Sequence, residues 1–522
     1  VRQTLFTIPH EAYGLPVFGL GWVLIVWALF GLGFMAWLIR KQGWNAETRS
    51  FLGFVLAVAA VIAFGLPIIE RAQVGPENQG LPIRGYGVML LLAVGSGVGL
   101  AAWRAQRMGV DPEIIYSLAF WMFVFGILGA RLFYVIEYRD QFLRSTLQET
   151  LVAVLNVTQG GLVVYGSVIG GVAAGMVYLW RRGVPILPTA DLIAPSMVLG
   201  LAIGRVGCFL NGCCFGGVCD LPWAMQFPEQ SPPYFRQHQL GQLHGFRIGQ
   251  DASGRPQVDF VAADSPAAQA GLRASDRITA IQLSPEDALQ AAATVPEFAG
   301  QEVTLQLASG EERRITVPAW EGEGSNLPSR RLGLQVMDLP NGPAIVSHLT
   351  VDGPAEQAGL TMNDRLVAVR LPPISSADVA QQVMQWAGAQ VRVETERGVH
   401  SWTQDGLPQR SLPIHPTQLY STIGAFLIFL FLWAYYPFRT RDGEVFAWMI
   451  TIYPVVRIFE EIIRIDEPAQ FGTGLSISQL ISVAILLGAA CLWTYIARRP
   501  RGSIWPESQR PAERLSRAPA AS

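Results

Sequence analysis

Apolar residues along this chain are gathered into long runs separated by short polar connections. Windows of about 18 to 25 apolar residues, enough to cross a bilayer as a helix, recur near 17–39, 51–69, 85–103, 114–136, 161–180, 190–209, 418–437, 444–463 and 475–496. The pattern predicts a polytopic α-helical membrane protein with about nine transmembrane helices. The first run is longer than a signal-peptide core and no small-x-small cleavage site follows it, so it reads as a retained anchor. Arg40, Lys41 and Arg49 follow the first span, Arg104 and Arg107 the third, Arg181 and Arg182 the fifth, Arg439 and Arg441 the seventh, and Arg498, Arg499 and Arg501 the ninth. Cytoplasmic loops retain positive charge, so every odd-numbered span ends inside. The N-terminus and the long connection 217–414 are then extracytoplasmic, and the C-terminus is cytoplasmic.

That connection has a different rhythm. Ser265-Pro-Ala-Ala-Gln-Ala-Gly-Leu272 precedes Asp276-Arg-Ile278, and Gly353-Pro-Ala-Glu-Gln-Ala-Gly-Leu360 precedes Asp364-Arg-Leu366, with the same offset of 88 residues throughout. This is a duplication. Each copy predicts a short helix ended by Gly and followed by a strand, at 277–281 and 365–369. Period-two runs at 303–307 and 391–394 add further strands. The two units resemble PDZ domains of the kind found in bacterial envelope proteases, which implies that a peptide strand adds to a sheet edge with its carboxylate on backbone N–H groups. Arg331-Leu-Gly-Leu334 matches that carboxylate loop in the second unit, and His244-Gly-Phe-Arg-Ile248 occupies its place in the first. A peptide, an envelope protein or a spacer role are the alternatives for the pair.

The resulting organisation is two additional N-terminal spans (1–80), the first part of a membrane domain (81–216), a head linker (217–240), PDZ-like units at 241–322 and 323–405, the second part of the membrane domain (406–497), and a tail (498–522). The tail is rich in Arg, Pro and Ala without periodicity and reads as disordered. Hydrophobic residues make up 51% of the chain and charged residues 15%, with a mean hydropathy of +0.31, which is a membrane composition. The net charge of −2 without a basic patch argues against nucleic-acid binding.

Ionisable residues within apolar spans are costly unless they pair or face a polar cavity. Here they are few and grouped: Arg84 and Tyr86 opening the third span, Arg131 in the fourth, Tyr165 entering the fifth, Asp191 and Arg205 near the two ends of the sixth, and Tyr453, Arg457, Glu460, Glu461 and Arg464 along the eighth. Arg457, Glu461 and Arg464 fall at i, i+4 and i+7 and share one helix face. That face serves either as an ion-pair ladder between spans or as part of a binding site. Arg205 has no acid beside it in sequence, and an unpaired guanidinium suits a phosphodiester. Together with Arg457, it places two arginines on an external-leaflet cavity, which suggests a phospholipid headgroup site.

Read in order, Arg84-Gly-Tyr-Gly87, Gly126-Ile-Leu-Gly-Ala-Arg-Leu132, Gly160-Gly-Leu-Val-Val-Tyr-Gly166, Asp191-Leu-Ile-Ala-Pro195, Gly204-Arg-Val-Gly-Cys-Phe-Leu-Asn-Gly212, His415-Pro-Thr-Gln-Leu-Tyr420 and the run from Arg457 to Asp466 resemble the bacterial prolipoprotein diacylglyceryl transferase family. The match covers about 82–216 and 414–497. The resemblance implies transfer of a diacylglyceryl group from phosphatidylglycerol to the lipobox cysteine of a prolipoprotein, at the bacterial inner membrane and with no cofactor or metal. It implies that Arg205 and Arg457 clamp the phosphate, that Glu461 orients Arg457, and that Tyr86, Arg84, Asp191, Gly216, Tyr453 and Arg464 line the substrate site. The thiol needs a base, because the thiolate is the nucleophile. Tyr165 stands where the better-studied pattern has His, and His415 is the second candidate. Cys208 and Cys213 replace Asn and Glu of the signature, and Ser421 replaces an acid. A divergent phospholipid-dependent transferase with another acceptor, or a non-catalytic envelope scaffold, are the alternatives.

Four of the five cysteines, Cys208, Cys213, Cys214 and Cys219, fall within one twelve-residue stretch that follows Arg205. Three readings stand: a disulfide pinning this turn, a reactive role for Cys208, or metal binding, although the spacing matches no common zinc motif. Cys491, within the last span, reads as a small apolar residue.

Overall fold

The computed structural model describes residues 3–67, 81–137, 139–142, 150, 154, 161, 163–229, 231–319, 331–339, 342–388, 390–403, 407–465 and 474–502. The expected disordered tail lies, from residue 503 onward, outside the described residues. So do Gly160 and Leu162 of the fifth-span motif, and Asp466. The chain divides into two compact units, residues 1–216 with 416–522, and residues 217–415.

The first unit is helical. Its helices are α1 (Trp22–Gln42), α2 (Ala46–Ala60, continued by one π-helical stretch, Val61–Gly65), α3 (Gly85–Arg107), α4 (Pro112–Glu137), α5 (Val164–Arg181) and α6 (Ile186–Asn211). After the second unit come the last three helices, Thr417–Tyr435, Glu444–Ile463 and Ile477–Ala497. Each expected span coincides with a helix. Among the described residues, seven helices are long and apolar enough to cross a membrane, so the protein is a polytopic helical membrane protein. Helix α5 and the helix Glu444–Ile463 fall outside that set; the second carries Glu444, Arg457, Glu460 and Glu461.

The helices begin and end where local chemistry dictates. Asn45 caps α2 by accepting from the Thr48 N–H at 2.9 Å, and Ser476 with Gln479 forms a reciprocal capping box before the last helix. Helix α6 stops at Gly212, whose φ of +79° is the left-handed conformation that glycine adopts without strain. Two strands, β1 (Thr4–Ile8) and β2 (Leu81–Arg84), pair antiparallel ahead of α3.

Small residues set the closest crossings, as they do where backbones meet in membranes. A Cβ on Gly166 would lie 2.3 Å from the Gly129 carbonyl oxygen, and one on Gly170 the same distance from that of Phe125, so α4 and α5 cross backbone to backbone. Helices α3 and α6 meet similarly: a Cβ on Gly200 would lie 3.2 Å from the Ala93 carbonyl oxygen, and one on Gly97 3.2 Å from that of Ser196. Ala101, Ala105, Leu192, Val198, Ile428 and Leu432 join α3, α6 and the helix Thr417–Tyr435 in one core.

The second unit opens with α7 (Pro232–Gln239) and continues β3 (Phe246–Gln250), β4 (Pro256–Val261), α8 (Pro266–Gln269), β5 (Ile278–Gln282), α9 (Pro285–Thr294), β6 (Glu302–Leu307), β7 (Glu312–Thr316), β8 (Leu334–Leu339), β9 (Gly342–Leu349), α10 (Pro354–Gln357), β10 (Arg365–Arg370), α11 (Ala377–Met384), β11 (Gln390–Thr395) and β12 (Gly398–Thr403). The expected strands and the short helices at the duplicated motifs are present. Their pairing is not sequential. One sheet runs β8-β9-β10-β6-β7 and the other β12-β11-β5, continued to β4 by the single bridge between Gln257 and Arg277 and so to β3. The strands thus pair across the expected boundary between 322 and 323. Helix α9 and strands β6 to β10 form an inner body, and β3, β4 and β5 are completed by α11, β11 and β12 into an outer body of the same strand order.

The two repeats have exchanged their helix–hairpin halves. Both repeats carry the same pattern of buried positions, so either hairpin presents a fitting apolar face to either sheet. From here the helices after the second unit are α12 (Thr417–Tyr435), α13 (Glu444–Ile463) and α14 (Ile477–Ala497).

Candidate functional site

Arg457 and Glu461 sit one turn apart on the face of α13 turned toward Ser476 and Ser478 at the start of α14. Arg457 Nη1 is 2.5 Å from Glu461 Oε2, and Arg464 Nε is 3.6 Å from the same oxygen. The Glu461 carboxylate also accepts from Ser476 Oγ at 2.7 Å. Arg457 and Glu461 are each 7% exposed, so the triad is largely desolvated. A buried carboxylate between two guanidiniums leaves a net positive charge that an anion can neutralise.

Tyr165 belongs to this network. Arg457 Nη2 donates to Ser478 Oγ at 3.0 Å, and the Tyr165 hydroxyl lies 3.4 Å from that same oxygen. One serine on α14 therefore links the start of α5 to the arginine of α13. Ser476 and Ser478 were not among the expected site residues; the only signal for them in the sequence is a pair of hydroxyls at the mouth of an apolar span.

Arg205 approaches from α6 and makes a side-chain hydrogen bond with Tyr453 of α13. Cys208 and Cys214 are its other close electrostatic neighbours, and Tyr86, at the start of α3, faces Arg205 and the thiols of Cys208, Cys213 and Cys214. Cys214 also senses the charge of Arg464, and Gly216 forms an isolated β-bridge with Arg464. Direct polar contacts thus run from Arg464 through Glu461 and Arg457 to Ser478 and Tyr165, and Arg205, Tyr86 and Cys214 are electrostatic neighbours at the same end of the helices. Cys214, just beyond α6, is held below the usual thiol range by hydrogen bonds from Cys208 and Cys213, with Arg464 and Arg205 adding to the effect.

The His-Pro-Thr-Gln-Leu-Tyr motif has a structural role at this turn. Thr417 Oγ1 donates to the Cys214 carbonyl at 2.6 Å, and Gln418 Nε2 to the Cys213 carbonyl at 2.7 Å. Ser421 donates to Glu460 at 2.7 Å. His415 and Cys219 lie in the second unit, where the His415 N–H donates to the Gly217 carbonyl and the Cys219 N–H to that of Pro413. Among the described residues the five cysteines carry free thiols.

Two expected site residues stand apart. Asp191 is fully buried and accepts from the backbone N–H groups of Gly443 at 2.7 Å and Phe446 at 2.9 Å, capping the start of α13. It lies fourteen residues before Arg205 on α6, about 20 Å along the helix axis at 1.5 Å per residue. Sequence order alone hid this, because a capping carboxylate and a ligand-binding one have the same residue type. Arg84 is exposed at the end of β2, opposite Thr4. Arg131 donates to the carbonyls of Val154 at 2.8 Å and Gly161 at 3.1 Å and so secures the approach to α5.

In the second unit the two bodies offer equivalent grooves, between α11 and β3 and between α9 and β8. The first is filled by the unit's own chain. Arg236 and Gln239 of α7 bond Gln381 and Gln385 at 3.0 Å each, His238 donates to the Ala387 carbonyl at 2.9 Å, and the β3 N–H of Ile248 donates to the Leu240 carbonyl at 2.8 Å. The second groove holds a cavity of about 200 Å³ lined by Glu286, Leu289, Gln290, Gln335, Val336 and Ser347.

A family model described as prolipoprotein diacylglyceryl transferase matches residues 77–245 and 378–495. It reaches further into the second unit than the sequence motifs did, and its interruption runs from the start of β3 to the start of α11. The phosphatidylglycerol–prolipoprotein diacylglyceryl transferase of Rhodopirellula baltica is 33% identical over 528 residues, covering 95% of this chain and 89% of that protein. Proteins of the same name from Trichormus variabilis and Thermus thermophilus are 34% and 37% identical over 179 and 158 residues, covering 34% and 30% of this chain and 60% and 53% of theirs.

Proposed function

The chain belongs to the prolipoprotein diacylglyceryl transferase family, and from that premise we propose how its buried cluster performs the transfer. The protein is a multi-pass membrane transferase that moves a diacylglyceryl group from phosphatidylglycerol to a prolipoprotein. The acceptor is the lipobox cysteine: its thiolate attacks the glyceryl carbon, a C–S bond forms, the C–O bond to phosphate breaks, and glycerol phosphate leaves with the electron pair. Arg205 and Arg457 hold the phosphate and stabilise the charge that develops on it. Glu461, fixed by Ser476, keeps Arg457 oriented, and Arg464 adds positive charge. Tyr453 positions Arg205, and Tyr86 lines the donor side with Gly216 at its rim.

Tyr165 is the favoured base. The observation that supports it is its link through Ser478 to Arg457. The arginines in the connections orient the chain with its N-terminus and the second unit extracytoplasmic. The observation that carries the whole reading is the buried Arg457–Glu461–Arg464 triad joined to Arg205 in a chain of this family. The experiment is complementation of a strain depleted of its own transferase. The unmutated chain restores lipid-modified prolipoprotein and the Arg205→Ala variant does not; absence of modified prolipoprotein with both sinks the reading.

For the second unit, the proposed partner is an extended peptide that adds as a strand to the β8 edge against α9, in the manner of a PDZ domain. The observation favouring this is the sister groove, where the unit's own α7 and Leu240 occupy the corresponding place. Binding of labelled peptides to the full chain, abolished by Leu289→Arg, supports it; unchanged binding in that variant removes it.

A further inference from the structure

The Sγ atoms of Cys208, Cys213 and Cys214 all lie within 4.8 Å of one another. Residues five and six positions downstream return to Cys208 because the chain reverses at the end of α6. Gly212 takes φ +79°, and Cys214 itself takes φ +59°, a left-handed conformation uncommon for a residue with a Cβ. The reversal is held from both sides. The N–H groups of Gly212 and Cys213 donate to the Cys208 carbonyl at 2.9 and 3.2 Å, and Thr417 and Gln418, 1% and 0% exposed, bind the Cys214 and Cys213 carbonyls. Two buried polar side chains thus orient the peptide groups that carry the thiols, which is how outer-shell partners fix ligating residues.

A disulfide uses this arrangement poorly. Adjacent Cα atoms across a trans peptide are about 3.8 Å apart, below the usual disulfide span, so Cys213 and Cys214 do not pair without distortion. Any pair with Cys208 leaves a third thiol over. A metal ion uses all three. With metal–sulfur bonds of about 2.3 Å, three thiolates in a plane stand about 4 Å apart, which the cluster reaches by contracting less than about 1 Å.

We propose that Cys208, Cys213 and Cys214 form a trigonal thiolate site for one soft metal ion, copper(I). Thiolates select copper(I) and zinc among the first-row ions, and zinc prefers a fourth ligand that no fourth described Cys, His, Asp or Glu supplies to this group. Three thiolates around copper(I) carry a net charge of −2, and the cationic neighbours of Cys214 are Arg464 and Arg205. Binding displaces the protons that remain on the three sulfurs and changes no oxidation state.

The test uses the full chain in detergent micelles, reduced and kept anaerobic, titrated with copper(I) against a chromophoric chelator and separately with zinc. One copper(I) per chain is expected, with thiolate-to-metal charge-transfer absorption, and an affinity at least 100-fold lower in Cys208→Ser and in Cys213→Ser/Cys214→Ser. Cys219→Ser and Cys491→Ala keep the wild-type affinity. Elution volume and thermal midpoint of each variant separate loss of the site from loss of the fold. Failure of the wild type to compete for copper(I), equal copper binding by the folded triple serine variant, tighter binding of zinc than of copper(I), or a disulfide at Cys208 in the anaerobically prepared protein each overturns the proposal.

Discussion

At the scale of single residues, the site depends on groups that hold one another's charge. Glu461 touches two arginines and a serine in a setting with little water, and removing one partner of a buried pair costs on the order of 3–5 kcal/mol. Glu461→Gln is therefore expected to lower the thermal midpoint of the purified protein and to cut transfer by at least tenfold; unchanged values in both measurements remove Glu461 from the site. Tyr165→Phe keeps the ring and deletes the hydroxyl beside Ser478. Because general acid–base groups contribute about 10²–10⁴, kcat should fall by roughly 100-fold with KM little changed. A variant with full kcat moves the base elsewhere, with His415 the next candidate. The sequence marked Arg205, Arg457, Glu461 and Tyr165 because charge and hydroxyls inside apolar runs need a reason. It could not mark Ser478, whose role exists only where α5, α13 and α14 meet, nor separate Asp191 from the site, since its two backbone partners lie more than 250 residues away.

At the scale of elements, the α4–α5 pair depends on glycine. Gly166→Val introduces atoms into space the neighbouring backbone already fills, because a Cβ at Gly166 would stand 2.3 Å from the Gly129 carbonyl oxygen, and overpacking of this kind costs about 1–3 kcal/mol. The temperature at which half the detergent-solubilised protein precipitates should drop by several degrees. Gly99→Ala on α3, with nothing within 4 Å of its Cβ, serves as the tolerated control, and equal midpoints for the two variants would contradict a backbone-to-backbone crossing. The spans themselves were legible from hydropathy, since a bilayer-length apolar run has few other stable forms. Helix α13 was legible as an apolar window as well, while the charges spaced along it keep it out of the set of strongly apolar helices.

At the scale of the whole molecule, the second unit shows how a repeat in sequence becomes a different unit in space. The described elements of the inner body all fall between 285 and 370, so a fragment of residues 284–371 should express as a β-rich domain with a cooperative melt, while 323–405, a repeat by sequence, should not. A folded 323–405 and an unfolded 284–371 would refute the exchanged arrangement. The amino-acid sequence by itself determined the membrane class, the position of the insertion, the duplication and the residue types of the site, because each depends on local composition, period or the cost of burying charge. Only the tertiary structure decided which hairpin completes which sheet, which of two equivalent grooves is already filled, that Asp191 caps a helix while Glu461 joins Arg457 and Arg464, and that three cysteines converge. Those outcomes turn on contacts between segments far apart in the chain, and two segments with the same apolar pattern are interchangeable until their neighbours are in place.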